Sequence, residues 1–281
     1  MFETSTIIGA GLLGGSLGMA MAERGLARRV RVWARREALR GHCRGADWCD
    51  EVFADLKKAV EGADLVIICT PVDVIIENLR EVVSVLSPAS LVTDVGSTKA
   101  VICREADLLV APTGAVFIGS HPMAGSERTG IEAARADLFD GRPCLVTPTG
   151  RGKEEKAAQL VAFWKRLGMQ TYLVSPDDHD EIVSQVSHLP HLVASALAFS
   201  LGQGRSDLGL YSGAGLKDTT RIAAGDPHLW AAIVDQNRDE IIRSLEGFDT
   251  ALLELRRAVH NRDQGGLLKI LKKGKQFRDG L

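Results

Sequence analysis

Cysteine is scarce, and its number is odd: five (Cys43, Cys49, Cys69, Cys103, Cys144) in 281 residues. An odd count without zinc-ligand spacing argues against a disulfide scaffold or a structural zinc site and points to a reducing cytoplasm. An excess of one charge is also missing. With 34 basic and 36 acidic residues the formal net charge is -2, so no basic surplus marks a nucleic-acid or anionic-membrane partner. No apolar run reaches the roughly 18 residues of a membrane span, and the run around Leu192–Leu201 is about half that and holds Ser195 and Ser200. The first residues, MFETSTIIGAGLLGGSLGMA, lack the basic start and unbroken apolar core of a signal peptide. No repeat or low-complexity tract occurs. What remains is 45% hydrophobic and 25% charged, the balance of a soluble globular protein long enough to bury a sizeable core.

Periodicity divides the chain in two. Thr6–Ile8, Val30–Trp33, Leu65–Cys69, Ser90–Asp94, Ala115–Gly119, Cys144–Thr147 and Gln170–Val174 read as strands, with helical patterns at Leu12–Arg24, Leu56–Glu61, Val74–Leu86 and Lys99–Leu109. Strands alternating with helices predict βαβ units in a doubly wound sheet. After about Pro176 the pattern is helical throughout, at Asp180–Gly202, Leu229–Val259 and Gly265–Lys275. The expected architecture is an α/β Rossmann-type domain over 1–175 and an all-α domain over 176–281. The helical part carries apolar stripes that need a partner, so a homodimer through it is expected.

Gly9-Ala10-Gly11-Leu12-Leu13-Gly14 follows a strand pattern and opens a helix pattern. The first glycine permits a tight turn, the second lets backbone approach a pyrophosphate, and the third packs helix on strand. The free N–H groups of the helix start then favour phosphate. The motif predicts a dinucleotide site. A carboxylate that would hold a ribose 2′-hydroxyl is missing from the end of the second strand, which reads Trp33-Ala34-Arg35-Arg36-Glu37. Arg35 and Arg36 suit a 2′-phosphate, so NADP is favoured and NAD stays open. Thr70-Pro71 and Gly96-Ser97 follow later strands and should lie near the nicotinamide.

Four further segments coincide in order: Asp94-Val95-Gly96-Ser97-Thr98-Lys99, Gly119-Ser120-His121-Pro122-Met123-Ala124-Gly125-Ser126-Glu127, Ser187-His188-Leu189-Pro190-His191 and Leu216-Lys217-Asp218-Thr219-Thr220-Arg221-Ile222-Ala223. With the glycine motif they resemble the prephenate/arogenate dehydrogenase family over nearly the whole chain. The resemblance implies NAD(P)-dependent oxidation of prephenate or arogenate, loss of CO2 and formation of the aromatic ring in tyrosine biosynthesis.

The chemistry fits these residues. Hydride loss from the hydroxyl-bearing carbon needs an acceptor for the hydroxyl proton, and neutral imidazole serves near pH 7. The resemblance makes His121 that group and places Ser97 beside the substrate hydroxyl, His121 and the nicotinamide. Ser97 also fits an N-cap of the following helix. A dianionic substrate needs a fixed cation; Arg221 is the candidate, since a guanidinium grips a carboxylate bidentately. Glu127 is expected to pair with Arg221 and gate access. His191 is implied to reach the substrate side chain, with Ser187 one turn earlier on the same face. His188 fits a structural role equally well, and His179 reads as ordinary.

No metal is expected. Some relatives carry a mutase or regulatory domain, and this sequence reads as the catalytic core alone. Prephenate is favoured over arogenate. The alternatives are a related hydroxy-acid or imine dehydrogenase, and a non-catalytic NADP-sensing module.

Overall fold

A computed structural model describes residues 2–125, 128–150, 152–205 and 207–281. The chain forms two compact units, Met1–Asn237 and Arg238–Leu281. The first begins with β1 (Phe2–Ile8), α1 (Leu12–Glu23), β2 (Ala27–Trp33), α2 (Glu37–Arg44), β3 (Glu51–Phe53), α3 (Leu56–Val60), β4 (Leu65–Ile68), α4 (Ile75–Val82), β5 (Leu91–Asp94), α5 (Ala100–Val110) and β6 (Val116–Phe117). These six strands form one parallel sheet in the order β3-β2-β1-β4-β5-β6. Alternation along the strands feeds two cores. Ile7, Leu65 and Ile67 join Leu17 and Met21 of α1; Ile8, Val66 and Ile68 join Ile75 and Leu79 of α4 and Ile102 of α5. Burying each such side chain contributes about 1.5–3 kcal/mol, and cover on both faces is why β4 reads as an unbroken apolar run. Strand order reverses between β1 and β4, the place where such sheets bind ligands at the strands' carboxyl ends.

The chain then leaves this sheet. Residues 115–119 fit one further strand by sequence, but the parallel sheet ends at Phe117, and β7 (Gly119–Pro122) pairs antiparallel with β8 (Pro143–Thr147). After α6 (Glu154–Arg166), β9 (Gln170–Leu173) adds parallel to β8, completing a separate three-stranded sheet. Two contacts fix the departure. A Cβ at Gly119 would stand 2.5 Å from Thr147 Oγ1 and 2.8 Å from Cys103 Sγ, so only glycine allows the close approach. Ser120 ties β7 to the end of β5: its Oγ donates to the Asp94 carbonyl at 2.8 Å, and its N–H donates to Asp94 Oδ1 at 3.3 Å.

α7 (Pro176–Val183), a wider π-type turn at Ser184–His188, and α8 (Leu189–Gly202) run on as a single helix. That 27-residue helix is long and apolar enough by composition to cross a membrane, which no single apolar run in the sequence is. Its buried positions include His179, Asp180, Ser184, His188 and His191, a polar set that belongs to a folded site. α9 (Ala214–Thr220) and α10 (Pro227–Gln236) complete the unit. A continuous helix over 229–259 fits the sequence pattern, but α10 stops before Asn237. The Asn237 side chain is buried, donating to the Asp180 carbonyl at 2.8 Å and standing 3.1 Å from His188 Nδ1. In the second unit α11 (Arg238–His260) turns into α12 (Gln264–Asp279) through Arg262 at φ 53, and Asp263 Oδ1 caps α12 by accepting from Gly266 N at 2.9 Å.

Candidate active site

The glycine turn meets the requirements of a dinucleotide cradle. Gly9 has φ +95, a conformation that side-chain-bearing residues rarely adopt. A Cβ at Gly14 would lie 2.0 Å from the Gly9 carbonyl oxygen, so α1 could not pack on β1 with any larger residue there. At Gly11 a Cβ would meet nothing within 4 Å, and no side chain caps the helix start. Open ground over uncapped N–H groups is what a pyrophosphate needs. Leu12 packs against the core, and Leu13 lines the adjoining cavity. Thr70 Oγ1 accepts from Asn78 Nδ2 at 2.9 Å, and Pro71 precedes a short 3-10 turn.

At the end of β2, Arg35 and Arg36 are exposed. Arg40 Nη1 donates to the carbonyls of Ala34 and Arg35, both at 2.7 Å, and so fixes the strand end. Glu37 is held by Arg44 and Arg40, which keep its carboxyl below the usual range.

The loop after β5 is wrapped around a buried ammonium. Lys99 Nζ donates to Asp94 Oδ2 at 2.6 Å, Gly96 O at 2.8 Å and Thr98 O at 2.9 Å, which uses all three of its donors. Gly96 is pinned further by its N–H to Asp94 Oδ2 at 2.9 Å. This arrangement presents Ser97. The alternative reading of Ser97 as an N-cap does not hold. α5 has Lys99 at its cap position, and Asp180 caps the helix, accepting from Lys99 N at 2.7 Å and Ala100 N at 2.9 Å.

A cavity of about 390 Å³ opens beside these segments, large enough for a small aromatic acid. Ser97, His121, Ser187, His191 and Arg221 all line it, with Leu13, Met123, Leu229 and Trp230. The four sequence segments therefore converge on one space. Glu127 lies outside the described residues. His191 stacks on Trp230 at 3.5 Å between ring centroids and 9° between planes. Gly225 permits that pair, because a Cβ there would stand 2.7 Å from Trp230 Nε1. Arg221 starts a short 3-10 turn after α9 and is exposed where it meets the cavity.

His121 sits within β7, opposite Leu145 of β8, and is buried. Burial holds its imidazole well below the ordinary value, reinforced by His179, Lys99 and His188. It is neutral near pH 7, the state a proton acceptor needs. Burial also lowers His191. His188 does not line the cavity; it is buried against Asn237 and Trp230. The sequence reading missed His179, whose Nε2 stands 2.9 Å from His121 Nδ1. Its one sequence-level signal is the adjacent carboxylate of Asp180.

Comparison with known proteins agrees with this geometry. Residues 19–173 match the family described as prephenate dehydrogenase, nucleotide-binding domain, and residues 175–273 match prephenate dehydrogenase, dimerization domain. A prephenate dehydrogenase of Bacillus subtilis is 31% identical over 100% of this chain and 76% of its own length. A cyclohexadienyl dehydrogenase of Zymomonas mobilis is 30% identical over 99% of this chain and 96% of its own. Among solved structures, prephenate dehydrogenase from A. aeolicus in complex with hydroxyphenyl propionate and NAD+ superposes with a TM-score of 0.93 at 28% identity, covering 100% of this chain and 98% of the other.

Proposed function

The chain belongs to the prephenate dehydrogenase family and is an oxidoreductase, and from that premise we propose that it converts prephenate to 4-hydroxyphenylpyruvate in tyrosine biosynthesis, with NADP as the favoured acceptor. The observation that carries the reading is the neutral, buried His121 lining one cavity with Ser97, His191 and Arg221. A dinucleotide held at the glycine turn would supply the two-electron acceptor through its nicotinamide. His121 takes the proton from the ring hydroxyl oxygen as hydride leaves the carbon that bears it. Ser97 orients that hydroxyl, Arg221 grips a carboxylate, and His191, braced on Trp230, meets the side chain. Loss of CO2 then returns an electron pair to the ring, which becomes aromatic. No step requires a metal.

The NADP preference rests on the β2 end. Glu37, the nearest carboxylate there, is engaged by two arginines, while Arg35 and Arg36 are exposed. The same feature supports the arogenate reading, because NADP use and arogenate recur together in the family; prephenate is preferred for His191. We assign 1–175 to cofactor binding and 176–281 to substrate binding and dimerisation. A homodimer is supported by the dimerization-domain match and by exposed Val186 and Phe199. A cytoplasmic location follows from the biosynthetic role.

Reduced-cofactor absorbance with prephenate and arogenate, each with NADP+ and NAD+, tests the proposal. The highest kcat/KM is expected for prephenate with NADP+. Arg35→Ala should raise KM for NADP+ alone, by about 1.5–3 kcal/mol, the usual worth of a hydrogen bond to a charged group. Turnover of neither substrate would overturn the reading. Faster turnover of arogenate would replace the substrate within it.

A further inference from the structure

Behind His121 the hydrogen bonds continue away from the cavity. His121 Nδ1 stands 2.9 Å from His179 Nε2, and His179 Nδ1 stands 2.7 Å from Asp180 Oδ1. Asp180 is fixed in turn, since its two oxygens accept from Lys99 N at 2.7 Å and Ala100 N at 2.9 Å at the start of α5. Its carbonyl accepts from Asn237 Nδ2 at 2.8 Å. All three side chains are buried, so water cannot substitute for any link.

The polarity of this chain follows from donor counting. An ionised carboxylate only accepts, and a neutral imidazole has one donor and one acceptor. Burial pushes the Asp180 carboxyl up, but two backbone N–H bonds at a helix start oppose that and favour the charged form. Asp180 therefore requires the proton of His179 on Nδ1, which leaves His179 Nε2 bare. A bare Nε2 requires the proton of His121 on Nδ1. His121 Nε2, the remaining nitrogen, then carries the lone pair.

We propose that His179 and Asp180 are positioning residues that fix His121 in the tautomer with a basic Nε2 and steady the imidazolium formed when it accepts a proton. The inference rests on the reading of His121 as the proton acceptor. Asp180 acts across two rings, so its charge offsets the buried cation without occupying the cavity. Among the described residues, the other groups whose charge acts on His121 are the Lys99 ammonium, paired with Asp94, and His188, which burial lowers to about 4; Cys144 meets only its backbone, and His191 and Arg221 share its cavity. Neither Lys99 nor His188 provides His121 with an acceptor for its Nδ1 proton.

Two variants and one spectroscopic measurement test this. His179→Leu removes the acceptor for the His121 Nδ1 proton, while His179→Gln keeps an oxygen able to accept it but breaks the link to Asp180. His179→Leu should lower kcat by roughly 10²- to 10⁴-fold, the range for a disabled general base, with substrate KM and cofactor Kd within twofold of wild type. His179→Gln should recover part of that loss, and its pH profile of kcat should shift relative to wild type. ¹⁵N-histidine NMR of the free wild-type protein should show His121 protonated on Nδ1 at neutral pH, with that tautomer lost in His179→Leu. Wild-type His121 protonated on Nε2 would overturn the proposal whatever the substrate is. So would a kcat for His179→Leu within twofold of wild type while wild type turns over prephenate or arogenate. Failure of wild type on both substrates would instead fall on the functional reading, and the NMR result would still decide the tautomer.

Discussion

Arg221 illustrates how one side chain divides binding from catalysis. It lines the cavity from the second half of the chain, while Ser97 and His121 come from the first. A guanidinium offers two parallel donors to a carboxylate, and an ammonium offers a point charge. Arg221→Lys should therefore raise KM for the substrate and leave cofactor Kd alone. Arg221→Ala should be worse, by about 1.5–3 kcal/mol for loss of a charge-assisted bond, the lower part of that range suiting an exposed residue. Steady-state kinetics beside a cofactor titration would check this. A substrate KM within twofold of wild type in the alanine variant would place the carboxylate elsewhere. Arg221 and His121 were legible from sequence because each lies in a distinctive local segment. His179 was not. His-Asp is an ordinary dipeptide, and its meaning comes from a partner 58 residues away in the chain.

At the scale of elements, the two glycines of the first turn should fail differently. Gly14→Ala drives a Cβ to 2.0 Å from the Gly9 carbonyl, so α1 must shift off β1. Overpacking of that kind costs about 1–3 kcal/mol, with a lowered Tm and weakened cofactor binding. Gly11→Ala adds its methyl to open space. It should leave Tm nearly unchanged and still weaken cofactor binding, because the methyl occupies ground the pyrophosphate needs. Differential scanning fluorimetry with a cofactor titration separates the two, and equal Tm losses would contradict the packing account. β4 was readable as an unbroken apolar run, the pattern of a parallel strand covered on both faces, and β1 and β5 from shorter β-type stretches that also bury Thr6, Thr93 and Asp94. β3 was not, since its three residues Glu51–Phe53 carry no periodicity. α6 was not read either, although Ala157, Leu160, Phe163 and Trp164 stand at helical spacing. The departure of β7 from the parallel sheet depends on Ser120 meeting Asp94, a contact between residues 26 apart that no local pattern encodes.

For the molecule as a whole, buried neutral histidines link stability to pH. Burial holds His121, His179 and His188 below the ordinary 6.5, with His179 at about 2 and His188 at about 4. Below about 6.5 the unfolded chain binds protons that the folded chain refuses. Stability is full above that pH and falls as pH drops toward the folded values, by about 1.4 kcal/mol per pH unit for each such histidine. Trp33, Trp48, Trp164 and Trp230 all belong to the first unit, so their fluorescence in urea reports it. The midpoint should fall steadily from pH 7 to 5, and an unchanged midpoint would show that these imidazoles titrate normally. The most direct test of the account remains His121 itself. His121→Asn should keep its fold and its NADP+ affinity and lose roughly 10² to 10⁴ in kcat, the usual cost of a missing general base. A kcat within twofold of wild type in that variant would contradict the account at its centre.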